Sequence, residues 1–468
     1  MSKPELIRGL GLRDSTALVI GTIIGTGVFL KTTPMAQAVG APQWVLWAWV
    51  VAGMLSLAGA LTYAELGALL PQAGGEYVYL RAAYGDLPAF LFGWMRITVG
   101  GAGSIAIAGV AFATFLSSVL PLEAVWVRKS FLVLGETFDW QFGIKQVVAV
   151  LVIVACAALN CLRVVFGGRI QFVLSSLKVA VIAVIVVGVF WFGKGTTWQH
   201  FAAPAGAGRW CGFSAFGVAM IAALWAFDGW NNMPMVAGEV REPGRNIPLA
   251  LFLGMLVVLL AYAAANLAYF YALPFGEIVA ANSTRHRDAL PVAAMAARSF
   301  FGAHGPALVS VGFILSTLGL LNGSLLTNAR IPYAMARDGL FFARFARLHE
   351  TTAVPVTSIV VLAIWASLLA ISGTFDQLTD CVVFAGWIFY ALTTSTVFVL
   401  RRKMPDHSRP YKTFGYPLVP IAFIAVATGL LVNTFLKMRL ESMFGIVLIA
   451  LGLPLYARLK RTRNSEIG

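Results

Sequence analysis

Charged residues are scarce in this sequence, and their scarcity excludes a soluble protein. Only 12% of the 468 residues are charged, whereas 59% are hydrophobic. A soluble globule of this length needs more polar surface than such a composition supplies. Continuous apolar runs recur along the chain, and each is long enough to cross a bilayer core. The composition therefore predicts an integral membrane protein.

Cysteine and histidine are also rare, which excludes several kinds of site. The four cysteines show no paired loop spacing, so neither a disulfide framework nor a metal site is expected. The five histidines fall in loops or at the ends of apolar runs and form no metal constellation. The sequence lacks a GxxxxGK[ST] phosphate loop, an HExxH motif and a GxSxG motif, which argues against ATP drive and against an enzyme. No cofactor is expected.

The apolar runs favour an all-α integral membrane fold. A transmembrane β-barrel would show segments of about ten alternating residues, whereas these runs are continuous. We predict twelve transmembrane helices at about 13–38, 43–70, 86–119, 146–166, 171–192, 212–237, 247–273, 305–332, 355–373, 377–400, 417–436 and 441–457.

The net charge of +14 agrees with a membrane topology rather than with nucleic-acid binding. With both termini in the cytoplasm, most of the 34 lysines and arginines lie on the cytoplasmic side, including the clusters at 401–403 and 458–463. Such a basic rim attracts anionic lipid headgroups. We therefore expect a multi-pass protein of the cytoplasmic (inner) membrane with the lipid bilayer as partner, and the short termini are typical of a bacterial protein.

Two predicted spans are interrupted at mid-depth by glycine and polar residues. The first span contains Gly25-Thr26-Gly27, and the sixth contains Asp228-Gly229-Trp230-Asn231-Asn232. Unpaired backbone at this depth must be buried in protein or line a polar cavity. Broken helices at matching places in two halves point to the substrate site of a carrier. A packing notch is the alternative reading of the first interruption, and the second interruption weighs against it.

The two interruptions also predict the domain organisation. Span one runs outward and span six inward, so five spans are expected to be repeated as an inverted copy. The first repeat is 1–200, with its broken helix at 25–27. The second is 201–403, broken at 226–230, and 404–468 holds spans eleven and twelve with a cytoplasmic C-terminus.

A broken helix exposes backbone N–H groups on one side and carbonyls on the other. The N–H groups suit a carboxylate and the carbonyls suit an ammonium, so one small zwitterion satisfies both. Gly25 and Gly27 permit an unwound backbone close to a ligand, and Thr26 adds a hydroxyl. The sequence therefore predicts a small amphoteric substrate.

Several motifs occur in a specific order along nearly the whole chain. They are GTIIGTGVF at 21–29, PQAGGEY at 71–77, WAFDGWNN at 225–232, NGS at 322–324, YAMARDG at 333–339 and RPYK at 409–412. Together they resemble the amino acid, polyamine and organocation superfamily and, within it, the bacterial branch of the L-type amino acid transporter family. The resemblance implies a leucine-transporter-type fold with broken helices one and six that carries L-amino acids by alternating access, commonly as an exchanger.

The resemblance implies a role for individual residues. Thr22, Ile23, Thr26 and Gly27 match positions that bind the substrate carboxylate. Positions around the amino group correspond to Trp225, Ala226 and Asp228. Trp225 stands where relatives have an aromatic gate, and an ordinary interior tryptophan is the alternative. Asn322 and Ser324 lie on span eight, where polar side chains either hold helices together or line the site. The predicted substrate-binding residues are Thr22, Ile23, Gly25, Thr26, Gly27, Trp225, Ala226, Asp228, Gly229, Asn322 and Ser324.

Lys178, Glu65 and Trp225 are the predicted gating and coupling residues. Lys178 lies about seven residues into span five, roughly 10 Å deep, where an ammonium needs a partner or a snorkelling route. It resembles the lysine that occupies the region of a coupling cation in sodium-independent relatives. Glu65 lies near the inner end of span two. This position favours a role in a gate or in a hydrogen bond at the helix end over proton transfer. Asp228 is expected to hold the substrate amine, to accept a proton, or to cap the broken helix.

These observations favour sodium-independent exchange of small or neutral L-amino acids. A proton-coupled symporter of an amino acid or polyamine, with Asp228 or Glu65 titrating, is the alternative within transport. An amino acid-sensing membrane receptor is the alternative outside it. Animal members of the resembled family join a heavy chain through a cysteine in the loop after span three. Residues 120–145 contain no cysteine, so no disulfide-linked heavy chain is expected.

Overall fold

Most of the chain is helical in the computed structural model of the protein, in which about 77% of the residues are helical. The structure describes residues 6–117, 119–133, 136–202, 210–283, 285–286, 289–372, 375–437 and 439–467.

Helices make up most of the described chain. The α-helices are α1 (Leu12–Ile23), α2 (Gly27–Leu30), α3 (Thr32–Val39), α4 (Pro42–Leu69), α5 (Glu76–Tyr84), α6 (Asp86–Met95), α7 (Gly101–Leu116), α8 (Ile144–Asn160), α9 (Val164–Phe192), α10 (Phe213–Ala226), α11 (Pro243–Ala272), α12 (Phe275–Ala280), α13 (Val292–Phe301), α14 (Gly305–Asn328), α15 (Arg330–Arg337), α16 (Val356–Ser372), α17 (Phe375–Lys403), α18 (Leu418–Lys437), α19 (Arg439–Ala450) and α20 (Gly452–Ile467). The 3-10 segments are Trp198–Phe201, Trp230–Glu239, Gly302–His304 and Ala343–Ala346, and Arg96–Gly100 is π-helical.

Eight helical stretches of the described chain are long and apolar enough to cross a membrane. They are Leu12–Leu30, Pro42–Leu69, Asp86–Leu116, Val164–Phe192, Phe213–Glu239, Pro243–Ala272, Val292–Arg337 and Leu418–Leu436. Two shorter apolar helices, α8 and α16, accompany them. The helical multi-span architecture is confirmed, whereas the twelve spans and the inverted repeat stay predictions.

A two-stranded antiparallel sheet departs from the all-α expectation. It consists of β1 (Val125–Val133) and β2 (Glu136–Gly143), with Lys129 opposite Trp140. β-Branched and aromatic residues recur in β1, a composition that fits a pleated strand. The sheet lies in the loop that follows the predicted third span.

The central helices bring the two interrupted spans together. α11 packs on α1 and α4, and α14 packs on α1, α7 and α9. The first interruption separates α1, which ends at Ile23, from α2, which begins at Gly27. The second separates α10, which ends at Ala226, from the 3-10 segment that begins at Trp230. Ile24 is extended at the first interruption, and Gly229 is left-handed, with φ of +119°, at the second.

Candidate functional site

The two interruptions are in direct contact. The hydroxyl of Thr22 lies 3.0 Å from the carbonyl oxygen of Gly229. A Cβ added at Gly229 would lie 2.4 Å from the carbonyl oxygen of Thr22, and its φ of +119° disfavours any side chain. Glycine at 229 therefore lets the two unwound segments meet.

A second close approach joins α2 and α10. A Cβ added at Gly27 would lie only 2.6 Å from the Cβ of Ala226, so the start of α2 packs directly on the end of α10. The hydroxyl of Tyr262, on α11, lies 3.2 Å from the carbonyl oxygen of Ile23 and 3.0 Å from that of Ala226. Tyr262 thus contacts the last helical residue before each interruption. The sequence did not single it out, because a tyrosine in an apolar helix looks like an ordinary core residue.

A cavity of about 90 Å³ lies where the interruptions meet. This volume is well below the roughly 300–1,000 Å³ of typical ligand pockets. The lining includes ten of the eleven predicted substrate-binding residues: Thr22, Ile23, Gly25, Thr26, Gly27, Trp225, Ala226, Asp228, Gly229 and Ser324.

Several polar groups in the cavity have no hydrogen-bond partner in the described part of the chain. They include the backbone N–H groups of Thr26 and Gly27, which follow the end of α1. The Oγ of Ser324 on α14 is also without a partner, although this residue is only 1% exposed. Buried polar groups are nearly always paired, so these groups favour a polar ligand in the cavity.

Asp228 is held by a hydroxyl from a distant helix. Tyr390, on α17, donates a hydrogen bond of 2.7 Å to Oδ1 of Asp228. Asp228 also lines the cavity. A carboxylate in this position suits an ammonium group.

Lys178 binds the end of the first broken helix. Its Nζ donates hydrogen bonds of 2.7 Å to the carbonyl oxygens of Gly21 and Ile24. The side chain is fully buried and lies against Gly319 of α14, where an added Cβ would be 2.7 Å from Nζ. Lys178 therefore connects α9 with the first interruption and with α14. Snorkelling, the alternative at the sequence level, does not describe this geometry.

Trp225 lines the cavity from the end of α10. The Nζ of Lys31, which follows α2, lies 4.3 Å from the centroid of the Trp225 ring. This distance is within the range of a cation–π interaction. The predicted gate is thus in contact with a cation that the sequence reasoning did not identify.

Asn322 is not among the residues that line the cavity. Its Nδ2 donates to Oε1 of Gln171 at 2.7 Å, and its Oδ1 accepts from Nδ2 of Asn160 at 2.9 Å. These contacts place its polar atoms between α8, α9 and α14. Its side chain thus faces neighbouring helices, while Ser324, two residues later, reaches the cavity.

Glu65 lies outside the cavity lining and is paired with basic residues. It accepts hydrogen bonds from Arg401 at 2.9 and 2.6 Å and from the backbone N–H of Thr413 at 2.7 Å. Arg409 lies 3.5 Å from the same carboxylate. The contacts fit the helix-end and gating interpretation of Glu65 better than proton transfer.

The sequence analysis missed one wall of the cavity. Four lining residues come from α7, namely Ser104, Ile107, Ala108 and Ala111, and the other lining residues outside the predicted substrate-binding set are Asn232, Thr317 and Leu320. The α7 residues recur at spacings of three and four, which puts them on one face of the helix. That spacing was the available signal, but small and apolar residues at helical periodicity are equally typical of helix packing.

The arrangement of broken helices around a small cavity, inside a bundle of apolar helices long enough to cross a membrane, is that of a membrane transporter. In the described ranges, no group of three or more His, Cys, Asp or Glu residues is placed to hold a metal ion. The chain belongs to the amino acid permease family, whose model matches residues 10–451.

Characterised relatives extend over nearly the whole chain. The serine/threonine exchanger SteT of Bacillus subtilis (strain 168) is 31% identical over 462 residues, which cover 98% of each chain. The human cystine/glutamate transporter is 30% identical over 97% of this chain and 85% of its own. The human b(0,+)-type amino acid transporter 1 is 28% identical over 97% of this chain and 88% of its own.

Proposed function

We propose that this permease exchanges small neutral L-amino acids across the cytoplasmic membrane by alternating access and without sodium. The observation that carries the proposal is the cavity between the two interruptions. The unpartnered N–H groups of Thr26 and Gly27 supply donors for a carboxylate. Asp228, which lines the same cavity from the second interruption, supplies a carboxylate as acceptor for an ammonium group. A zwitterion fits both requirements.

The independence from sodium is inferred from Lys178. Its ammonium already binds the carbonyl oxygens of Gly21 and Ile24, which are the kind of ligand that a sodium ion would need. A fixed charge in this place makes a transported cation unnecessary. Movement of the first broken helix would be transmitted through Lys178 to α14, because the side chain contacts both.

The small size of the substrate is inferred from the cavity and from one relative. A cavity of about 90 Å³ leaves little room beyond the backbone atoms of an amino acid. SteT, by its name, exchanges serine and threonine. The unpartnered hydroxyl of Ser324 would bind a polar side chain or the amino acid backbone. Serine and threonine are therefore the first substrates to test.

The finer architecture belongs to the same proposal. We infer twelve transmembrane helices, an inverted repeat of 1–200 and 201–403, and two further spans within 404–468. Both termini are assigned to the cytoplasm of a bacterial cell because of the basic clusters at 401–403 and 458–463. The permease is proposed to work without a disulfide-linked heavy chain, since residues 120–145 lack cysteine.

Transport by purified protein in proteoliposomes tests the proposal. Uptake of radiolabelled L-serine should require unlabelled L-serine inside the vesicles and should be the same in sodium and choline buffers. Vesicles without protein and vesicles loaded with a polyamine serve as controls. Uptake into empty vesicles that follows an inward proton gradient would replace exchange by proton-coupled symport. Binding of serine without any uptake would support the receptor alternative.

A further inference from the structure

Glu76 has different hydrogen-bond partners from the other buried carboxylates in the described part of the chain. Glu239 is paired with Arg330 at 2.9 Å and Glu65 with Arg401 at 2.6 Å. Glu76 is 0% exposed, yet none of the described basic side chains forms an ion pair with it. Its carboxylate instead accepts hydrogen bonds from the hydroxyl of Tyr63 at 2.7 Å and from Nδ2 of Asn231 at 3.2 Å.

Asn231 can satisfy both protonation states of this carboxyl group. Its Nδ2 donates to the ionised form, whereas its Oδ1 is buried without a hydrogen-bond partner among the described residues. A turn of the amide by about 180° would present Oδ1 to the proton of a neutral Glu76. A reversible proton site needs a partner that can donate to the ionised form and accept from the neutral form.

The charged and titratable groups around Glu76 come from several elements. They are Tyr63 on α4, Tyr79 on α5, Arg96 in the π-helical stretch, Asp228 at the second interruption and Tyr390 on α17. Arg96 donates at 2.8 Å to Asn232, at 3.0 Å to Asn328 and at 3.8 Å to the sulfur of Met235, so its hydrogen bonds go to groups other than Glu76. Burial raises the pKa of Glu76 to about 7, and the charge of Arg96 opposes this shift.

The carboxyl group is linked to the candidate substrate site. Asn231 and Asn232 are consecutive residues of the 3-10 segment Trp230–Glu239, and Asn232 lines the cavity. The turn before Glu76 is bound to the same segment, because the backbone N–H of Gly74 donates to the carbonyl oxygen of Met235 at 2.8 Å. A change at Glu76 therefore acts on the half-helix that continues from the cavity.

We propose that Glu76 binds a proton during the exchange cycle and thereby weakens the contact between the α5 turn and the segment Trp230–Glu239. This inference rests on the proposed exchange function. A hydrogen bond to an ionised group is about twice as strong as one between neutral groups, so protonation loosens the bond from Asn231. Exchange then becomes faster, because this segment moves more readily when its bond to Glu76 is weaker.

The test compares the pH dependence of serine exchange by the wild type and by Glu76→Gln in proteoliposomes, with equal pH on both sides. Glu76 is protonated below its pKa and ionised above it, so we expect the wild-type rate to fall about fivefold as pH rises from about 5.5 to about 8.5. Glutamine is uncharged at every pH. Glu76→Gln should keep the fast, acidic-side rate throughout. Glu350→Gln, at an exposed carboxylate, should retain the wild-type profile.

Tyr63→Phe gives a second readout, the midpoint of the pH profile, which would not change if Glu76 had a purely structural role. Loss of the donor disfavours the ionised form of Glu76, so the midpoint should shift to higher pH by about one unit. This variant also decides the matter if Glu76→Gln does not fold. The absence of exchange in the wild type at every pH would reject the proposed function itself. An active wild type whose profile is unchanged in Glu76→Gln, or whose midpoint is unchanged in Tyr63→Phe, would overturn the role of Glu76 alone.

Discussion

The two interrupted helices are stabilised by opposite chemistry. At the first, a cation from α9 donates to backbone carbonyls, because Nζ of Lys178 lies 2.7 Å from the oxygens of both Gly21 and Ile24. At the second, a carboxylate within the break accepts from a neutral hydroxyl on α17, because Tyr390 lies 2.7 Å from Asp228. Both α9 and α17 are 29 residues long, and each places its polar residue near its middle.

This difference indicates which interruption is fixed and which is free to respond. The carbonyl oxygens at the first interruption are bound by the buried ammonium of Lys178, so the C-terminal end of α1 is already occupied. At the second interruption, Asp228 lines the cavity. We therefore expect the first interruption to position the ligand carboxylate and the second to sense the ligand ammonium. Four substitutions test this contrast.

Lys178→Met should have the largest effect. It removes two hydrogen bonds from a charged donor at a fully buried position, and exchange should fall by about 100-fold or more. The measurement is serine exchange in proteoliposomes at matched protein amounts. Lys412→Met, at an exposed lysine, should exchange like the wild type. Near-normal activity of Lys178→Met would show that Lys178 is not needed to hold the first interruption.

Gly229→Ala should come next. The new Cβ would lie 2.4 Å from the carbonyl oxygen of Thr22, at a residue whose φ is +119°. Separation of the two interruptions should reduce exchange by about 30-fold and lower thermal stability, since strain of this kind costs ~1–3 kcal/mol. Gly217→Ala on α10 meets nothing within 4 Å and serves as the control. A fully active, equally stable Gly229→Ala protein would show that the contact is dispensable.

Tyr390→Phe should have a moderate effect. Loss of one hydrogen bond to Asp228 frees the carboxylate to reorient, and we expect exchange to slow about fivefold through a higher KM for serine. Tyr84→Phe removes a 2.7 Å hydrogen bond to Ser395, which lies on α17 like Tyr390 but in an exposed contact. This variant should exchange serine at nearly the wild-type rate. An equal loss in both variants would indicate a general effect on α17 rather than on the second interruption.

Ser324→Ala should have the smallest effect. Its hydroxyl has no protein partner in the described part of the chain and lines the cavity, so its removal costs only a ligand contact. The KM for serine should rise about threefold with little change in the maximal rate. Ser358→Ala removes another buried, unpartnered hydroxyl that lies outside the cavity lining. If the two variants behave alike, Ser324 does not bind the substrate.

The interruptions were predictable because glycine and polar residues are costly within a membrane span. That signal identified Gly25-Thr26-Gly27 and Asp228-Gly229, and the cavity forms around them. Lys178 was predictable for the same reason, since a charge at that depth needs partners. The resemblance to a known family added Trp225, whereas Ser324 was predicted because it is a polar residue on span eight.

Other site residues carried no such signal. Tyr262 and Tyr390 act through hydroxyls on apolar helices, where an aromatic residue normally indicates packing. The polarity of Asn322 was visible, but the direction of its side chain depends on how α14 rotates against α8 and α9. Partners such as Lys31 for Trp225 depend on the tertiary arrangement of helices and are not encoded locally.

The β-hairpin has a practical consequence for imaging this protein. A permease of 50.1 kDa with short loops offers little outside the membrane to align particles in electron cryomicroscopy. Strand β1 pairs with β2, and its residues from Val125 to Phe131 are exposed, with Trp126 at 59% exposure. An antibody fragment raised against this exposed part of β1 would supply an alignment feature without altering the cavity-lining residues.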